Sequence, residues 1–361
     1  MGRRDYEMSV PRGIAGRSLT YDDEDRLVTV GGVVYEHDED GFLKRKTDGT
    51  DVTEYSYSSR GELLRAELPD GRIIEYVHDP LGRRIAKKVD GVITEKYLWQ
   101  GLTRLLAVYN ADDTLKMRFE YADARMPVAM TKGDVTYYLG YDQVGTLKAV
   151  ADASGNVVKK IGYDSFGNIL NESNPTFAVP FGFAGGLHDS DTGLVRFGYR
   201  DYDPETGRWT AKDPILFAGG DTDLYGYCLN DPVNLLDPFG LSEADVSKIY
   251  NIFRNSVNTM TEEGRRFQTS YINNILRTLN MISFGILGEA YLGCGEQAEE
   301  LDRDLANKQY DDTWSFTIIA GETEAGLPHQ WLEVKSDNPD DPILTIDPWA
   351  DRFGMDYTNS R

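Results

Sequence analysis

A short unit containing tyrosine and glycine recurs through the first two thirds of the chain. Units that start at Tyr35, Tyr57 and Tyr76 lie 22 and 19 residues apart, and Tyr141 and Tyr163 are again 22 residues apart. Each alternating segment leads to a turn glycine and an apolar residue, as in Asp40-Gly41-Phe42-Leu43, Arg60-Gly61-Glu62-Leu63 and Phe166-Gly167-Asn168-Ile169. Alternation predicts strands, and glycine supplies the positive φ of a tight turn. The repeat therefore predicts an array of β-hairpins.

The composition of the 361 residues narrows the class of protein further. Charged residues make up 27% and hydrophobic residues 40%, which is typical of a folded globular chain. A net charge of −22 disfavours non-specific binding to nucleic acid, because phosphate backbones are repelled. No apolar run approaches the roughly 20 residues that span a bilayer, so we expect no stable membrane insertion. Residues 1–6 lack the apolar core of a signal peptide, so we expect secretion without a leader.

Few residues are available for nucleophilic or metal chemistry. The chain has two cysteines and four histidines, at Cys228, Cys294, His37, His78, His188 and His329. This inventory predicts no disulfide framework, no structural metal site and no cofactor. Cys228 lies in a strand-like Tyr-Gly-Tyr-Cys-Leu segment and is interpreted as a buried structural thiol.

The repeat region ends in a dense succession of aromatic and acidic motifs. It reads Phe197-Gly198-Tyr199-Arg200-Asp201-Tyr202-Asp203-Pro204-Glu205-Thr206-Gly207-Arg208-Trp209, then Lys212-Asp213-Pro214-Ile215, Leu224-Tyr225-Gly226-Tyr227, Asn230-Asp231-Pro232-Val233 and Asp237-Pro238-Phe239-Gly240-Leu241. With the repeats, this succession resembles the end of the Rhs core of YD-repeat polymorphic toxins. The resemblance implies a mainly β shell over residues 1–241 around a toxin at residues 242–361. It also implies that Asp213 and Asp237 cut the chain between Leu241 and Ser242.

Two aspartates suit that reaction for an electrostatic reason. When two carboxyl groups approach each other, repulsion raises the pKa of one, which then holds a proton while the other activates water. Arg208 is expected to orient or bias this pair. The alternative is that Asp213 and Asp237 only begin turns, because each of them precedes a proline.

The last 120 residues, from Ser242 to Arg361, predict helices followed by strands. Ser242 and Asp245 form a capping-box pattern that opens a helix, and a second helix begins at or near Cys294. Three strands are predicted after it, at Thr313–Ala320, His329–Val334 and Pro342–Asp347. The fold class expected for this part is therefore α+β.

Cys294, His329 and Asp347 are the candidate catalytic residues of this part. A helix N-terminus favours the thiolate of a cysteine, and a neighbouring imidazole can accept and return its proton. An acid beside the imidazole fixes its tautomer. Alternation places His329, Trp331 and Glu333 on one face of a strand, and adjacent strands could bring His329 and Asp347 together.

The motifs around these residues resemble the transglutaminase-like branch of the papain-type fold. They read Cys294-Gly295-Glu296-Gln297-Ala298, His329-Gln330-Trp331-Leu332-Glu333-Val334 and Leu344-Thr345-Ile346-Asp347-Pro348-Trp349. The resemblance implies acyl transfer through a thioester, which yields deamidation, transamidation or proteolysis. The alternative is a non-catalytic binding or membrane-active toxin module in which Cys294 is structural. The lack of a histidine–metal cluster disfavours a nuclease.

The two resemblances together imply partners and a place of action. A toxin of this kind is expected to act on a protein substrate in the cytoplasm of a target cell, after delivery by a specialised secretion apparatus. A cognate immunity protein is expected from the Rhs family. No nucleic-acid partner is expected.

Overall fold

A computed structural model describes residues 4–122, 125–214, 216, 222–241, 244–265, 294–306, 314–322, 328–336, 343–348 and 352–356. The chain divides into two compact units. The first contains residues 1–121 and 125–242, and the second contains residues 122–124 and 243–361.

Seventeen strands of the first unit form an antiparallel meander in which each strand pairs with the next along the chain. They are β1 (Tyr6–Ser9), β2 (Ile14–Tyr21), β3 (Leu27–Val30), β4 (Val33–His37), β5 (Leu43–Asp48), β6 (Asp51–Tyr57), β7 (Leu63–Glu67), β8 (Ile73–His78), β9 (Arg84–Val89), β10 (Val92–Gln100), β11 (Arg104–Tyr109), β12 (Leu115–Glu120), β13 (Ala129–Lys132), β14 (Val135–Tyr141), β15 (Leu147–Asp152), β16 (Val157–Tyr163) and β17 (Ile169–Glu172). The predicted array of hairpins is confirmed.

The recurring aspartate and glycine of the repeat make its turns. Asp79 Oδ1 accepts hydrogen bonds from the backbone N–H groups of Leu81 and Arg83, both at 3.0 Å. Asp164 Oδ1 binds the backbone of its own turn in the same way. Gly82 has a φ of +76°, a conformation that other residues adopt with difficulty. The aspartate therefore satisfies turn donors that the strands leave unpaired.

After the meander, residues 181–241 form a terminal segment that packs against the repeat strands. It contains a small antiparallel sheet of β18 (Leu187–His188), β19 (Val195–Phe197), β20 (Arg200–Asp203) and β21 (Arg208–Trp209). Its contacts with the meander include Tyr202 Oη donating to Phe166 O at 2.8 Å and Tyr225 Oη donating to Gly41 O at 2.8 Å. Short 3₁₀ turns lie at Phe183–Gly185 and Cys228–Asn230.

The second unit has two described helices and a four-stranded antiparallel sheet. The helices are α1 (Ala244–Glu262) and α2 (Cys294–Ala306), and the strands are β22 (Trp314–Glu322), β23 (Pro328–Ser336), β24 (Ile343–Asp347) and β25 (Arg352–Asp356). Helix α2 packs on β22 and β23 and also contacts α1. The core is apolar, with Ile249, Phe253, Leu301, Leu332 and Ile346 all at most 1% exposed. The three predicted strands are present, and β25 is an additional one.

Candidate functional site

The terminal segment holds one buried arginine between two buried aspartates. Arg200 Nη2 lies 2.7 Å from Asp213 Oδ2 and 3.3 Å from Asp237 Oδ2. Each of the three residues is at most 2% exposed. Strand β20 carries Arg200, and the two acids follow it by 13 and 37 residues, so the fold assembles the cluster from three separate segments.

The same cluster forms hydrogen bonds with the backbone of the Asp-Pro-Phe-Gly-Leu motif. Asp237 Oδ1 accepts hydrogen bonds from Gly240 N at 2.8 Å and from Leu241 N at 3.1 Å. Arg200 Nε donates to Gly240 O at 2.5 Å. The peptide that precedes Leu241 is therefore fixed on both its N–H and C=O sides by the two charged residues. Ser242 lies outside the described residues.

Two glycines allow this motif to approach β19 and β20 closely. Gly198 has a φ of +39°, and an added Cβ there would overlap the carbonyl oxygen of Phe239. Gly240 has a φ of +69°, and its added Cβ would lie 2.5 Å from the carbonyl oxygen of Phe197. Tyr199 N donates to Phe239 O at 2.8 Å across this contact. Any side chain at either glycine would push the motif away from Arg200.

Burial dominates the electrostatics of the site. Burial raises the pKa of Asp237, and the negative charge of Asp213 raises it further. The positive charge of Arg200 lowers it. The hydrogen bonds from Leu241 and Gly240 lower it. Cys228 is a free buried thiol beside Asp237, and burial raises its pKa well above the usual value. Its interpretation as a buried structural cysteine is consistent with this environment.

Arg208 does not occupy the place that the sequence analysis gave it. Both of its terminal nitrogens bind the carboxylate of Asp223, at 2.7 and 2.6 Å, and one of them also donates to Asp25 O. Arg200 is the arginine that forms ion pairs with Asp213 and Asp237. Sequence reasoning missed it because Tyr199-Arg200-Asp201 carries no signal beyond strand-like alternation. The approach of Arg200 to Asp237 depends on pairing between distant segments.

In the second unit, Cys294 is the first residue of α2, as predicted, and His329 is the second residue of β23. Their side chains lie outside the described residues. The residues that follow them are in contact, because an added Cβ at Gly295 would overlap the side-chain Oε1 of Gln330. Asp347 is the last residue of β24 and is 6% exposed. The start of α2 therefore lies against the start of β23.

Strand register determines which predicted residues share a face of the sheet. Leu332 and Val334 pair with Ile346 and Leu344, and these four residues form the buried face. Gln330 alternates in phase with them, which agrees with its contact to α2. Trp331, Glu333 and Asp347 alternate onto the opposite face. Helix α2 lies against the face that carries Gln330. The approach of His329 to Asp347 stays a prediction.

Among the described residues, no helix is long and apolar enough to cross a bilayer. In the same part of the chain, histidine, cysteine, aspartate and glutamate side chains form no group of three suited to a metal ion.

Comparison with known proteins identifies the first unit. Residues 11–233 match the family described as Teneurin YD-shell, which covers more than half of the chain. The chain belongs to the YD-shell family. The hairpin meander and its Tyr-Asp turns are thus the repeats of a YD-shell, and the sequence resemblance to Rhs repeats is confirmed at this level.

Individual relatives align with about three fifths of the chain. The chain is 34% identical to Teneurin-3 of Danio rerio over 232 residues, which are 60% of this chain and 8% of that protein. It is 31% identical over 251 residues to a protein of Dickeya dadantii named "Probable deoxyribonuclease RhsA", covering 63% of this chain and 17% of that one. The chain thus spans less than a fifth of the length of either relative.

Solved structures of toxin complexes align with 63% of the chain at low similarity. The Photorhabdus luminescens Tc holotoxin pore aligns with a TM-score of 0.41 and 15% identity, over 63% of this chain and 15% of that one. A TcdB2–TccC3 structure without its hypervariable C-terminal region aligns with a TM-score of 0.39 and 19% identity, over 63% and 12% of the two chains.

Proposed function

We propose that this chain is part of a toxin whose YD-shell cuts its own backbone between Leu241 and Ser242 and so releases residues 242–361. The observation that carries the proposal is that Arg200 and Asp237 bind the peptide before Leu241 while Arg200 also pairs with Asp213. Membership of the YD-shell family supports the same assignment.

Each group has a role that follows from its environment. Asp213 lies 2.7 Å from the Arg200 guanidinium, and in our proposal it is the base that takes a proton from water. Burial and the charge of Asp213 raise the pKa of Asp237, so we assign Asp237 as the acid. Arg200 and the backbone bonds of Asp237 fix the turn that presents the Leu241 carbonyl.

Water is the only further reactant that the proposed hydrolysis needs. Water oxygen bonds to the Leu241 carbonyl carbon while Asp213 takes the water proton and Asp237 donates its proton to the carbonyl oxygen. The C–N bond to Ser242 then breaks as Asp213 gives its proton to the amine of Ser242 and one hydroxyl of the tetrahedral intermediate returns a proton to Asp237. Leu241 ends as a carboxylic acid, which loses its proton to solvent. Paired carboxyl groups that share protons perform this type of peptide hydrolysis elsewhere.

Fragment analysis tests this proposal. Freshly translated protein should separate under denaturing conditions into two fragments, the second of 120 residues with Ser242 at its N-terminus. Asp237→Asn and Asp213→Asn should each yield one intact chain. Arg208→Lys is the matched control and should be cut normally, because Arg208 binds Asp223 instead of the two aspartates. An intact wild-type chain would reject self-cleavage.

For the released segment we propose Cys294-dependent acyl transfer, with His329 as base and Asp347 as its partner. The contact between Gly295 and Gln330 favours it, since these residues directly follow Cys294 and His329. A thioester formed on Cys294 from a carboxamide releases ammonia or an amine, and water or a second amine then completes the reaction. The substrate would be a protein of the target cell, and an immunity protein would protect the producer.

Thiol reactivity separates this proposal from a non-catalytic module. An activated Cys294 should react with iodoacetamide near neutral pH at least about tenfold faster than a model thiol, because its pKa would be lowered. His329→Ala should remove that advantage, whereas Glu333→Gln, on the same strand, should retain it. Equal rates in the wild type and His329→Ala would support a structural Cys294.

A further inference from the structure

The guanidinium of Arg200 lies over the ring of Trp209. Arg200 Cζ is 4.3 Å from the ring centroid, and the two residues are 1% and 3% exposed. The face of an indole attracts a cation, and the attraction grows when water is excluded. An aromatic face also leaves every N–H of the guanidinium available. Trp209 therefore holds Arg200 without competing for the bonds that Arg200 gives to the aspartates and to Gly240.

Trp209 is itself fixed by a cluster of aromatic rings. Its ring centroid lies 5.8 Å from that of Phe197, 5.8 Å from that of Tyr202 and 5.4 Å from that of Tyr227, all with steep interplanar angles. Its backbone N–H donates to Tyr225 O at 3.0 Å. Edge-to-face packing on several sides prevents the indole from turning. The platform under Arg200 is therefore rigid.

We propose that Trp209 is a positioning residue for self-cleavage and acts through Arg200. This inference rests on the self-cleavage proposed above. An arginine side chain has several rotatable bonds, and one guanidinium nitrogen here lies on both Asp213 and Asp237. Without the indole face, the guanidinium can turn toward a single carboxylate and leave Gly240 O. The platform keeps Arg200 shared between the two acids while it holds the motif.

The experiment compares three variants by cell-free translation with quenching at timed intervals. Trp209→Leu removes the aromatic face and should slow cleavage by about tenfold or more. Trp209→Phe keeps a smaller aromatic face and should stay within about threefold of the wild type. Trp99→Leu is the control, because Trp99 is a partly buried tryptophan of the YD-shell whose indole donates to Arg84 O and not to the cluster around Arg200. It should cleave at the wild-type rate.

The pH profile of cleavage distinguishes positioning from mere packing. Loss of the guanidinium from Asp237 removes an interaction that lowers its pKa. The profile of Trp209→Leu should therefore move to higher pH, and that of Trp209→Phe by a smaller amount. If Trp209→Leu does not fold, the shift in the pH profile of Trp209→Phe tests the positioning role of Trp209.

Each outcome has a defined meaning. A wild-type chain that is cut, with Trp209→Leu cut at the same rate, overturns this inference and leaves self-cleavage standing. A slower rate with an unmoved profile and no rescue by phenylalanine indicates packing alone and also overturns it. An uncut wild-type chain overturns both proposals.

Discussion

Arg200 is the residue on which the proposed cleavage site depends. A buried guanidinium needs acceptors for its donors, and this one finds them in two carboxylates and the carbonyl oxygens of Gly240 and Leu224. Two aspartates without this cation would repel each other in a site that excludes water. The charge of Arg200 therefore permits Asp213 and Asp237 to be buried together.

The raised pKa of Asp237 predicts how cleavage varies with pH. Burial and the charge of Asp213 favour the protonated form of Asp237, which the proposed reaction uses as its acid. The rate should fall as pH rises through the pKa of Asp237, because the acid form is then lost. Cleavage rates measured from pH 4 to 9 by cell-free translation should therefore decrease toward high pH. A rate that climbs steadily to pH 9 would contradict the assignment of Asp237 as the acid.

At the scale of elements, each repeat ends its strand with an aromatic residue before the turn. Most repeats use tyrosine there, as in Tyr141-Asp142 and Tyr163-Asp164, but two use histidine, in His37-Asp38 and His78-Asp79. His37 packs edge-on against Tyr225 of the terminal segment, with ring centroids 5.8 Å apart. Both ring nitrogens of His78 are buried without a hydrogen-bond partner. Histidine at this position makes the contact with the terminal segment sensitive to acid.

Burial, with Arg26 and Arg208 nearby, lowers the pKa of His37 to about 4, although Asp22 opposes the shift. Burial, with Arg196 and Arg84, lowers the pKa of His78 to about 3, although Asp201 and Asp79 oppose it. Both histidines are therefore neutral in the folded state near neutral pH. As pH falls below about 6.5, these histidines gain protons in the unfolded chain before they do in the folded chain. The free energy of unfolding therefore decreases as pH falls below that value.

Replacing both histidines by the usual tyrosine of the repeat should reduce this sensitivity to acid. Between pH 7 and pH 5 the wild type should lose about 2 kcal/mol of unfolding free energy per histidine, which His37→Tyr/His78→Tyr should retain. Urea unfolding at the two pH values, followed by tryptophan fluorescence, measures the difference. Tyr141→His is the reciprocal variant and should gain sensitivity. Equal losses in the wild type and the double variant would contradict this account.

At the scale of the whole molecule, a buried ion cluster ties the terminal segment to the repeat strands. Asp201 of β20 accepts hydrogen bonds from Arg84 of β9 at 2.7 Å and from Arg196 of β19 at 2.8 Å. All three residues are at most 4% exposed. Such a cluster gives specificity to the docking of the segment, because another placement would leave a charge buried alone.

Asp201→Asn should lower the free energy of unfolding of the YD-shell by about 3–5 kcal/mol, since it leaves two buried arginines without a counter-charge. Chemical denaturation of the Asp237→Asn background, which stays uncut under our proposal, measures this loss. Glu54→Gln is the control, because its pair with Arg45 is exposed and contributes little. A loss for Asp201→Asn no larger than that for the control would show that the cluster does not anchor the segment.

The sequence by itself determined the parts of this protein that depend on neighbouring residues. Alternation and the Tyr-Asp and glycine turns predicted the hairpin array, and capping and β-branched runs predicted α1, α2 and three strands of the second unit. These signals act over a few residues, so they can be identified without a fold. The pairing of Asp213 with Asp237 came instead from the Rhs resemblance.

Only the tertiary structure decided which distant groups meet. It selected Arg200 over Arg208, since both arginines lie in similar strand-like sequence and only the packing of β20 and β21 separates their partners. It also added β25 and placed α2 on the face of the sheet that carries Gln330. The charge of a residue and the hydrophobic alternation around it can be identified from the sequence. Its partner across the core depends on how separate segments pack.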